Sequence, residues 1–269
     1  MATKPEATGN TTLSPAADAA SAGKIRDVSA VFIHGFLDEG GLWQPVMDRL
    51  TEVGVTCVAP DLRGMGTHAA APAPFTLARL AEDVVSALVN ISGPVVLVGH
   101  SMGAQIAEMV AAALPGQVSA MMLLTPVPLG GLAMPDDIAA QMRSLGGDAE
   151  AQRQLRRQFA GSYAASVIDK LVGVGMKVRG ETVRALFDAW SAGDPSGAGR
   201  SRFEGPVLIA GGAEDAFITP ALIEGMVSPR FRKASTVLIP EVGHWPHVER
   251  PSAVTALLTD FIADLTGAA

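Results

Sequence analysis

A serine flanked by two glycines is the residue of this sequence best placed to do chemistry. The run Gly99–Gly103, of sequence Gly-His-Ser-Met-Gly, follows the apolar segment Val95–Val98 and precedes a helix-like pattern over Ala104–Leu114. A strand, this turn and a helix together predict a strained elbow that lifts the Ser101 hydroxyl clear of the backbone, at the positive end of a helix. Such a serine is a candidate nucleophile that needs a base, an orienting acid and an oxyanion hole.

Candidates for the acid and the base lie in two loops near the carboxyl end of the chain. Glu214 and Asp215 follow an apolar run, and His244 and His247 follow the next one. The shorter side chain favours Asp215 over Glu214 as the acid. The glycine that directly precedes His244 favours this histidine over His247 as the base.

The elements that must position these residues follow from hydrophobic patterning. Continuous apolar runs are typical of a parallel sheet covered on both faces, and amphipathic segments lie between them. The predicted strands are Ser29–Ile33, Val55–Ala59, Val95–Val98, Ala120–Leu124, Val207–Ala210 and Thr236–Ile239. The predicted helices outside the middle of the chain are Gly41–Glu52, Leu77–Ile91, Ala104–Leu114, Pro220–Val227 and Ser252–Leu265. The alternation predicts an α/β fold with a mainly parallel, doubly wound sheet of about six strands.

The middle of the chain breaks this alternation. Residues 126–203 show no strand pattern, and helical patterns cover Asp136–Ser144, Ala149–Leu171 and Glu181–Ser191. We predict a helical cap inserted over the carboxyl edge of the sheet, where ligands bind in open α/β sheets. The expected organisation is a flexible extension over 1–27, a core over 28–125 and 204–269, and a cap over 126–203.

The order Ser101, Asp215, His244 resembles the catalytic triad of the α/β-hydrolase fold family, capped serine esterase type. Further motifs match in order over about residues 28–269: His34-Gly35-Phe36 in the oxyanion loop, the loop Pro60–Gly66, and the loops around the acid and the base. The family usually begins with an antiparallel hairpin. Only Lys24–Val28 precedes the first strand here, so the hairpin is expected to be reduced or absent.

This resemblance implies a division of roles. Ser101 attacks an acyl carbon, His244 transfers the proton and Asp215 orients the imidazole, while the backbone N–H groups of Phe36 and Met102 hold the oxyanion. Apolar residues predicted to line a substrate pocket are Met142, Phe159, Phe187, Trp190 and Trp245.

Other clusters have a plainer interpretation. Arg153, Arg156 and Arg157 could bind a substrate carboxylate, but three glutamines share their predicted helix, so a solvated face is favoured. No group of histidine, cysteine and acidic residues has metal-ligand spacing along the sequence, so neither a metal nor another cofactor is expected.

The composition of the chain limits the kinds of partner that the protein is expected to bind. The 269 residues are 48% hydrophobic and carry a net charge of −7, which makes nucleic acid an unfavourable partner. No apolar run approaches the roughly 18 residues needed to span a membrane. The first residues lack the pattern of a secretory signal, which gives a cytoplasmic location by default. The sequence leaves the oligomeric state open.

The function predicted from these features is hydrolysis of carboxylic esters of small to medium apolar substrates, without a cofactor. A lactonase, a perhydrolase and a carbon–carbon bond hydrolase of the same fold remain open. The alternative from another class is a small-molecule receptor built on a hydrolase fold, and turnover of a generic aryl ester would separate the two.

Overall fold

The computed structural model describes residues 28–162 and 167–267, so the predicted extension over 1–27 lies outside the described residues. Six strands form one sheet in the order β2-β1-β3-β4-β5-β6, and every neighbouring pair is parallel. The strands are β1 (Ser29–Ile33), β2 (Thr56–Val58), β3 (Val95–His100), β4 (Val118–Leu124), β5 (Val207–Gly212) and β6 (Ala234–Ile239). The prediction of a doubly wound parallel sheet is confirmed, whereas the expectation of a reduced or absent hairpin falls mostly on residues before Val28, outside the described residues.

Helices cover both faces of the sheet and its carboxyl edge. They are α1 (Gln44–Glu52), α2 (Leu77–Leu88), α3 (Met102–Ala113), α4 (Asp136–Ser144), α5 (Ala149–Phe159), α6 (Ile168–Gly175), α7 (Gly180–Ala192), α8 (Pro220–Leu222), α9 (Pro246–Glu249) and α10 (Pro251–Thr266). The described part of 126–203 holds α4 to α7 and no strand. None of the described helices has the length and apolar character needed to cross a bilayer.

Alternating residues of β1 divide the core into two layers. Val31 and Ile33 point to the layer with α2 and α3, whereas Ala30 and Phe32 point to the layer with α1 and α10. All four side chains are fully buried, as the continuous apolar run predicts for a strand covered on both faces.

One helix prediction was wrong. The predicted helix Ala149–Leu171 ends at Phe159 and a separate helix begins at Ile168. The chain leaves the helix because the Gly161 N–H donates to the Glu249 carboxylate at 2.9 Å instead of to a carbonyl of α5. The predicted helix Pro220–Val227 is helical throughout, with α8 over Pro220–Leu222 and a π-helix over Ile223–Val227.

Candidate active site

Ser101 lies on a strained turn at the carboxyl end of β3. Its backbone has φ 53° and ψ −118°, a conformation that costs a non-glycine residue about 1–3 kcal/mol. A Cβ on Gly99 would lie 2.5 Å from the Gly103 carbonyl oxygen, and a Cβ on Gly103 would lie 2.2 Å from the Ile33 carbonyl oxygen. Only glycine therefore fits on either side of the serine, where strand and helix close on each other.

His244 joins Ser101 to Asp215. The His244 Nε2 atom lies 3.0 Å from the Ser101 Oγ atom, and its Nδ1 atom lies 2.8 Å from the Asp215 Oδ2 atom. Asp215 also accepts hydrogen bonds at Oδ1 from the backbone N–H groups of Phe217 (2.8 Å) and Ile218 (3.0 Å). All three side chains of this array are buried, so water competes little for their hydrogen bonds.

The two acids that the sequence left in competition have separate partners. Asp215 faces His244, as above, whereas the Glu214 carboxylate accepts hydrogen bonds from the N–H (2.9 Å) and hydroxyl (2.9 Å) of Ser162. Glu214 thus contacts the segment after α5 and not the imidazole.

The two histidines are separated just as clearly. His247 is fully buried, and its ring stacks on that of Trp43 at a centroid distance of 4.1 Å. Its two ring nitrogens have no hydrogen-bond partner among the described residues. Burial, reinforced by the nearby His100 ring, holds the pKa of His247 well below its usual value.

The His244 backbone is held from two sides. Its N–H donates to the Phe159 carbonyl at the end of α5 over 2.8 Å. Its carbonyl accepts from His100 Nε2 at 2.7 Å and from the Thr125 hydroxyl at 3.0 Å. The cap supplies the first contact and the core supplies the other two, so this loop is fixed by both parts of the molecule.

One carboxylate holds the residues on either side of His244. Glu249 accepts from the N–H groups of Gly243 (3.0 Å) and Trp245 (2.9 Å), and from that of Gly161 in the cap. This anchors the histidine loop to the segment that follows α5.

The loop after β1 runs against the serine turn. A Cβ on Gly35 would lie 3.2 Å from the Ser101 Cβ atom, which places the next residue, Phe36, beside the site. Met102 is the first residue of α3, and a backbone N–H at this position has no acceptor within its own helix. Phe36 lines the same cavity as Ser101, and Met102 directly follows Ser101 in the sequence.

A small, mostly apolar cavity of about 40 Å³ opens onto Ser101 and His244. Four of the predicted pocket residues line it, namely Met142, Phe159, Trp190 and Trp245. Phe187 does not line this cavity, because it packs behind Trp190 with the two rings edge to face at 5.1 Å.

The sequence did not predict the polar lining of this cavity. Gln152 and Arg156 of α5 both reach it, and the preference for a solvated arginine face was wrong for Arg156, which is 2% exposed. Burial lowers the pKa of Arg156, and the neighbouring Asp38 carboxylate partly offsets this. Arg153 instead forms ion pairs with exposed acidic residues, and Arg157 is exposed.

Three residues from distant parts of the chain form a buried cluster below the site. Potential ligand atoms of Asp38, His100 and His247 all lie within 4.8 Å of one another, a grouping that no local spacing could predict. Burial alone would raise the pKa of Asp38, but the His100 ring and the Arg156 guanidinium hold this pKa well below its usual range. The Arg156 cation opposes a metal ion beside the same carboxylate.

A family model described as "Alpha/beta hydrolase family" matches residues 30–257. Lipase LipV of Mycobacterium tuberculosis is 39% identical over 114 residues, which cover 42% of each protein, so the match spans less than half of that lipase. A thermophilic esterase from Thermogutta terrifontis superposes with a TM-score of 0.74 at 22% identity over 88% of this chain and 90% of the esterase. An enol-lactonase from Burkholderia xenovorans LB400 superposes with a TM-score of 0.75 at 22% identity over 87% of this chain and 91% of the lactonase.

Proposed function

The chain belongs to the alpha/beta hydrolase family, and from this premise we propose that it is a cofactor-free serine hydrolase of carboxylic esters. The observation that carries the proposal is the continuous array of Ser101, His244 and Asp215, with hydrogen-bond distances of 3.0 Å and 2.8 Å between successive side chains. Such an array in a buried site is suited to acyl transfer through a covalent intermediate.

The proposed reaction proceeds in two halves. The Ser101 oxygen attacks the ester carbonyl carbon while His244 Nε2 takes the hydroxyl proton, and the N–H groups of Phe36 and Met102 stabilise the oxyanion. Collapse of the tetrahedral intermediate expels the alcohol, which receives the proton from His244. Water then attacks the acyl-enzyme with the same base, which releases the acid and restores the Ser101 hydroxyl. Asp215 stabilises the imidazolium in both halves.

The identity of the nucleophile favours acyl transfer over displacement at saturated carbon. A carboxylate nucleophile would give an alkyl ester that water can cleave at the enzyme's own carbonyl. Attack by Ser101 on saturated carbon would instead give an ether, which water does not readily cleave. We therefore propose ester hydrolysis and not dehalogenation or epoxide opening.

The cavity supports a substrate with a small apolar group. Its volume of about 40 Å³ gives room for about three water molecules.

The length of the acyl chain should control the rate. Each methylene group of the substrate that is buried in the cavity contributes about 0.8 kcal/mol, roughly a fourfold gain in kcat/KM. We expect kcat/KM of p-nitrophenyl esters to rise over the shortest acyl chains and then to fall once the cavity is full. Met142→Ala should move the optimum to a longer chain without abolishing turnover.

The decisive test pairs turnover with covalent labelling. We expect the wild-type protein to hydrolyse p-nitrophenyl acetate or butyrate and to bind one fluorophosphonate, with mass spectrometry placing the adduct on Ser101. Folded Ser101→Ala is the matched control and should do neither. A wild-type protein that binds small esters without turnover or labelling would instead be a receptor.

A further inference from the structure

We propose that Arg156 of the cap helix α5 is a positioning residue for His244, and that it acts through Asp38 and His100. The inference rests on the proposed function, since it assigns a role within the same reaction. Arg156 does not touch Ser101, Asp215 or the His244 imidazole through any hydrogen bond of the described residues. Arg156 lines the cavity together with Ser101 and His244, but an effect on the alignment of His244 has to pass through other groups, and Asp38 and His100 lie buried between the two in a chain of contacts.

The chain begins where α5 meets the loop after β1. Arg156 donates from Nη2 to the Leu37 carbonyl at 2.8 Å, and its Nη1 atom lies 3.4 Å from Asp38 Oδ1. The side chains of Arg156 and Asp38 are 3% and 0% exposed. Removing one partner of such a buried pair leaves the other charge uncompensated, so each residue depends on the other. This pair fixes α5 to the loop that carries the proposed oxyanion donor Phe36.

The chain continues beneath the serine turn. The second Asp38 oxygen, Oδ2, lies 3.4 Å from Nδ1 of His100. The opposite ring nitrogen, Nε2, donates to the His244 carbonyl at 2.7 Å. A neutral ring that donates from Nε2 has no proton on Nδ1, and neither Nδ1 nor Asp38 Oδ2 has a hydrogen-bond partner among the described residues. The link between Asp38 and His100 is therefore the close packing of two fully buried side chains. A shift of Asp38 therefore reaches the His244 backbone through a single intervening side chain.

The same helix touches His244 by a second route. Phe159, three residues after Arg156 and the last residue of α5, accepts the His244 N–H at 2.8 Å. The His244 N–H thus depends directly on where α5 lies, and its carbonyl depends on α5 only through His100, since the Thr125 hydroxyl also holds it. Because the imidazole must stay within hydrogen-bond distance of Ser101 and Asp215 together, a displacement of its backbone by a fraction of an ångström misaligns proton transfer.

The test compares Arg156→Gln with Arg157→Gln, its exposed neighbour on the same helix. Titration with a fluorophosphonate gives the concentration of active sites. The measured rate is divided by this concentration, so that a variant with less folded protein is not mistaken for a slower enzyme. We expect Arg156→Gln to lower kcat per active site by about 10- to 100-fold, with a smaller change in KM because Arg156 also lines the cavity, and Arg157→Gln to match the wild type.

A second comparison separates positioning from a purely structural ion pair. Asp38→Asn and the double variant Asp38→Asn/Arg156→Gln should lose about as much kcat as Arg156→Gln alone, because each breaks the same chain. If the double variant recovers thermal stability and all three variants keep wild-type kcat per active site, the pair is only structural and the proposal is overturned.

A readout that needs no turnover keeps this inference distinct from the proposed function. The proton between His244 Nδ1 and Asp215 should give a downfield resonance in the NMR spectrum of the wild-type protein. We expect this resonance to shift or broaden in Arg156→Gln and to be unchanged in Arg157→Gln, whether or not esters are cleaved. A wild-type protein that neither turns over esters nor reacts with the fluorophosphonate contradicts the proposed function alone. An unchanged resonance in a folded Arg156→Gln protein contradicts the positioning role alone.

Discussion

Ser101 and His244 meet at 3.0 Å, but two different kinds of structure hold them. The serine turn is local: the end of β3, the start of α3 and two glycines fix the Ser101 backbone. The histidine loop, Pro240–Trp245, has no regular structure and takes its position from Phe159, His100 and Glu249, which lie far away in the sequence or on another element. The comparison teaches that the serine is positioned by the core sheet and the start of α3, whereas the histidine is held by the cap through Phe159 and by the core through His100 and Thr125.

The largest loss of activity should come from removing the Ser101 hydroxyl, the part of the site that is fixed locally. Ser101→Ala is expected to lower ester turnover by about 10⁴- to 10⁶-fold, because members of such an array act as a unit. Steady-state kinetics, with circular dichroism as a control for folding, would measure this loss of turnover.

The strained turn at Ser101 leads to a separate expectation for stability. Ser101→Gly should be about 1 kcal/mol more stable than Ser101→Ala in urea unfolding, since glycine adopts φ 53° without strain. Equal stabilities would mean that the turn stores no strain.

The next effect tests the acid that orients the histidine. Asp215→Asn should lower kcat by about 10⁴-fold because the amide favours the wrong imidazole tautomer. Glu214→Gln is the matched control, and we expect it to lose less than about tenfold because Glu214 contacts Ser162 and not the ring. Comparison of kcat for the two variants decides the assignment, and the reverse order of rates would move the acid to Glu214.

A smaller effect should follow from pushing the cap against the histidine loop. A Cβ on Gly161 would lie 2.6 Å from the Gly243 nitrogen and 2.8 Å from the Glu241 carbonyl oxygen. Gly161→Ala should therefore displace the loop and lower kcat by about 10- to 100-fold, although residue 161 lies outside the array. Gly173→Ala in α6 is the control, because a Cβ there meets no atom within 4 Å, and it should raise stability by about 0.5–1 kcal/mol. Wild-type kcat in Gly161→Ala would show that the loop does not need the cap.

The smallest expected effect is the change of the free energy of unfolding with pH, and it comes from His247, just after the histidine loop. Burial lowers the pKa of His247 in the folded protein, so the unfolded state binds more protons as pH falls below about 6.5. The free energy of unfolding should consequently decrease as pH falls from about 7 to 5, by at most about 1.4 kcal/mol per pH unit for this site. His34, whose pKa burial also lowers, adds a contribution of the same sign.

Urea unfolding at several pH values would measure this dependence. His247→Phe keeps an aromatic ring against Trp43 and removes the titrating group, so it should show a shallower slope. An identical slope in the variant would mean that His247 is not the source of the pH dependence.

Local patterns were enough to predict the sheet and the serine turn. Each buried strand is a continuous apolar run, and the elbow lies within five consecutive residues, so both are properties of neighbouring positions. The predicted strand and helix bounds differ from the structure by a few residues wherever the pattern was strong. The apolar runs also predicted that Asp215 and His244 lie in the loops after the fifth and sixth strands, where the structure has them.

The supports of His244 could not be predicted in this way. Arg156 and Asp38 are separated by 118 residues, and His100 and His244 by 144. Nothing in the local pattern of α5 distinguishes a buried arginine from its solvated neighbours, because burial there is decided by the loop that α5 packs against. The predicted helix beyond Phe159 was wrong for the same reason, since the chain turns at Gly161 to reach Glu249.

The hydrogen bond from the His244 N–H to the Phe159 carbonyl has a consequence for how substrate reaches the site. If α5 swung outward as a gate, each opening would remove the acceptor that holds the histidine backbone, and the protein would be least reactive at the moment substrate arrived. Substrate can enter the cavity while His244 stays aligned only if α5 remains in place. Of the other cap residues on the cavity wall, Trp190 of α7 is tied to the core by a hydrogen bond from Gln105 to its carbonyl at 3.0 Å, which leaves Met142 of α4 as the residue that an entering substrate would displace. Amide hydrogen exchange should report this division of labour, with the His244 amide exchanging more slowly than the amides of α4.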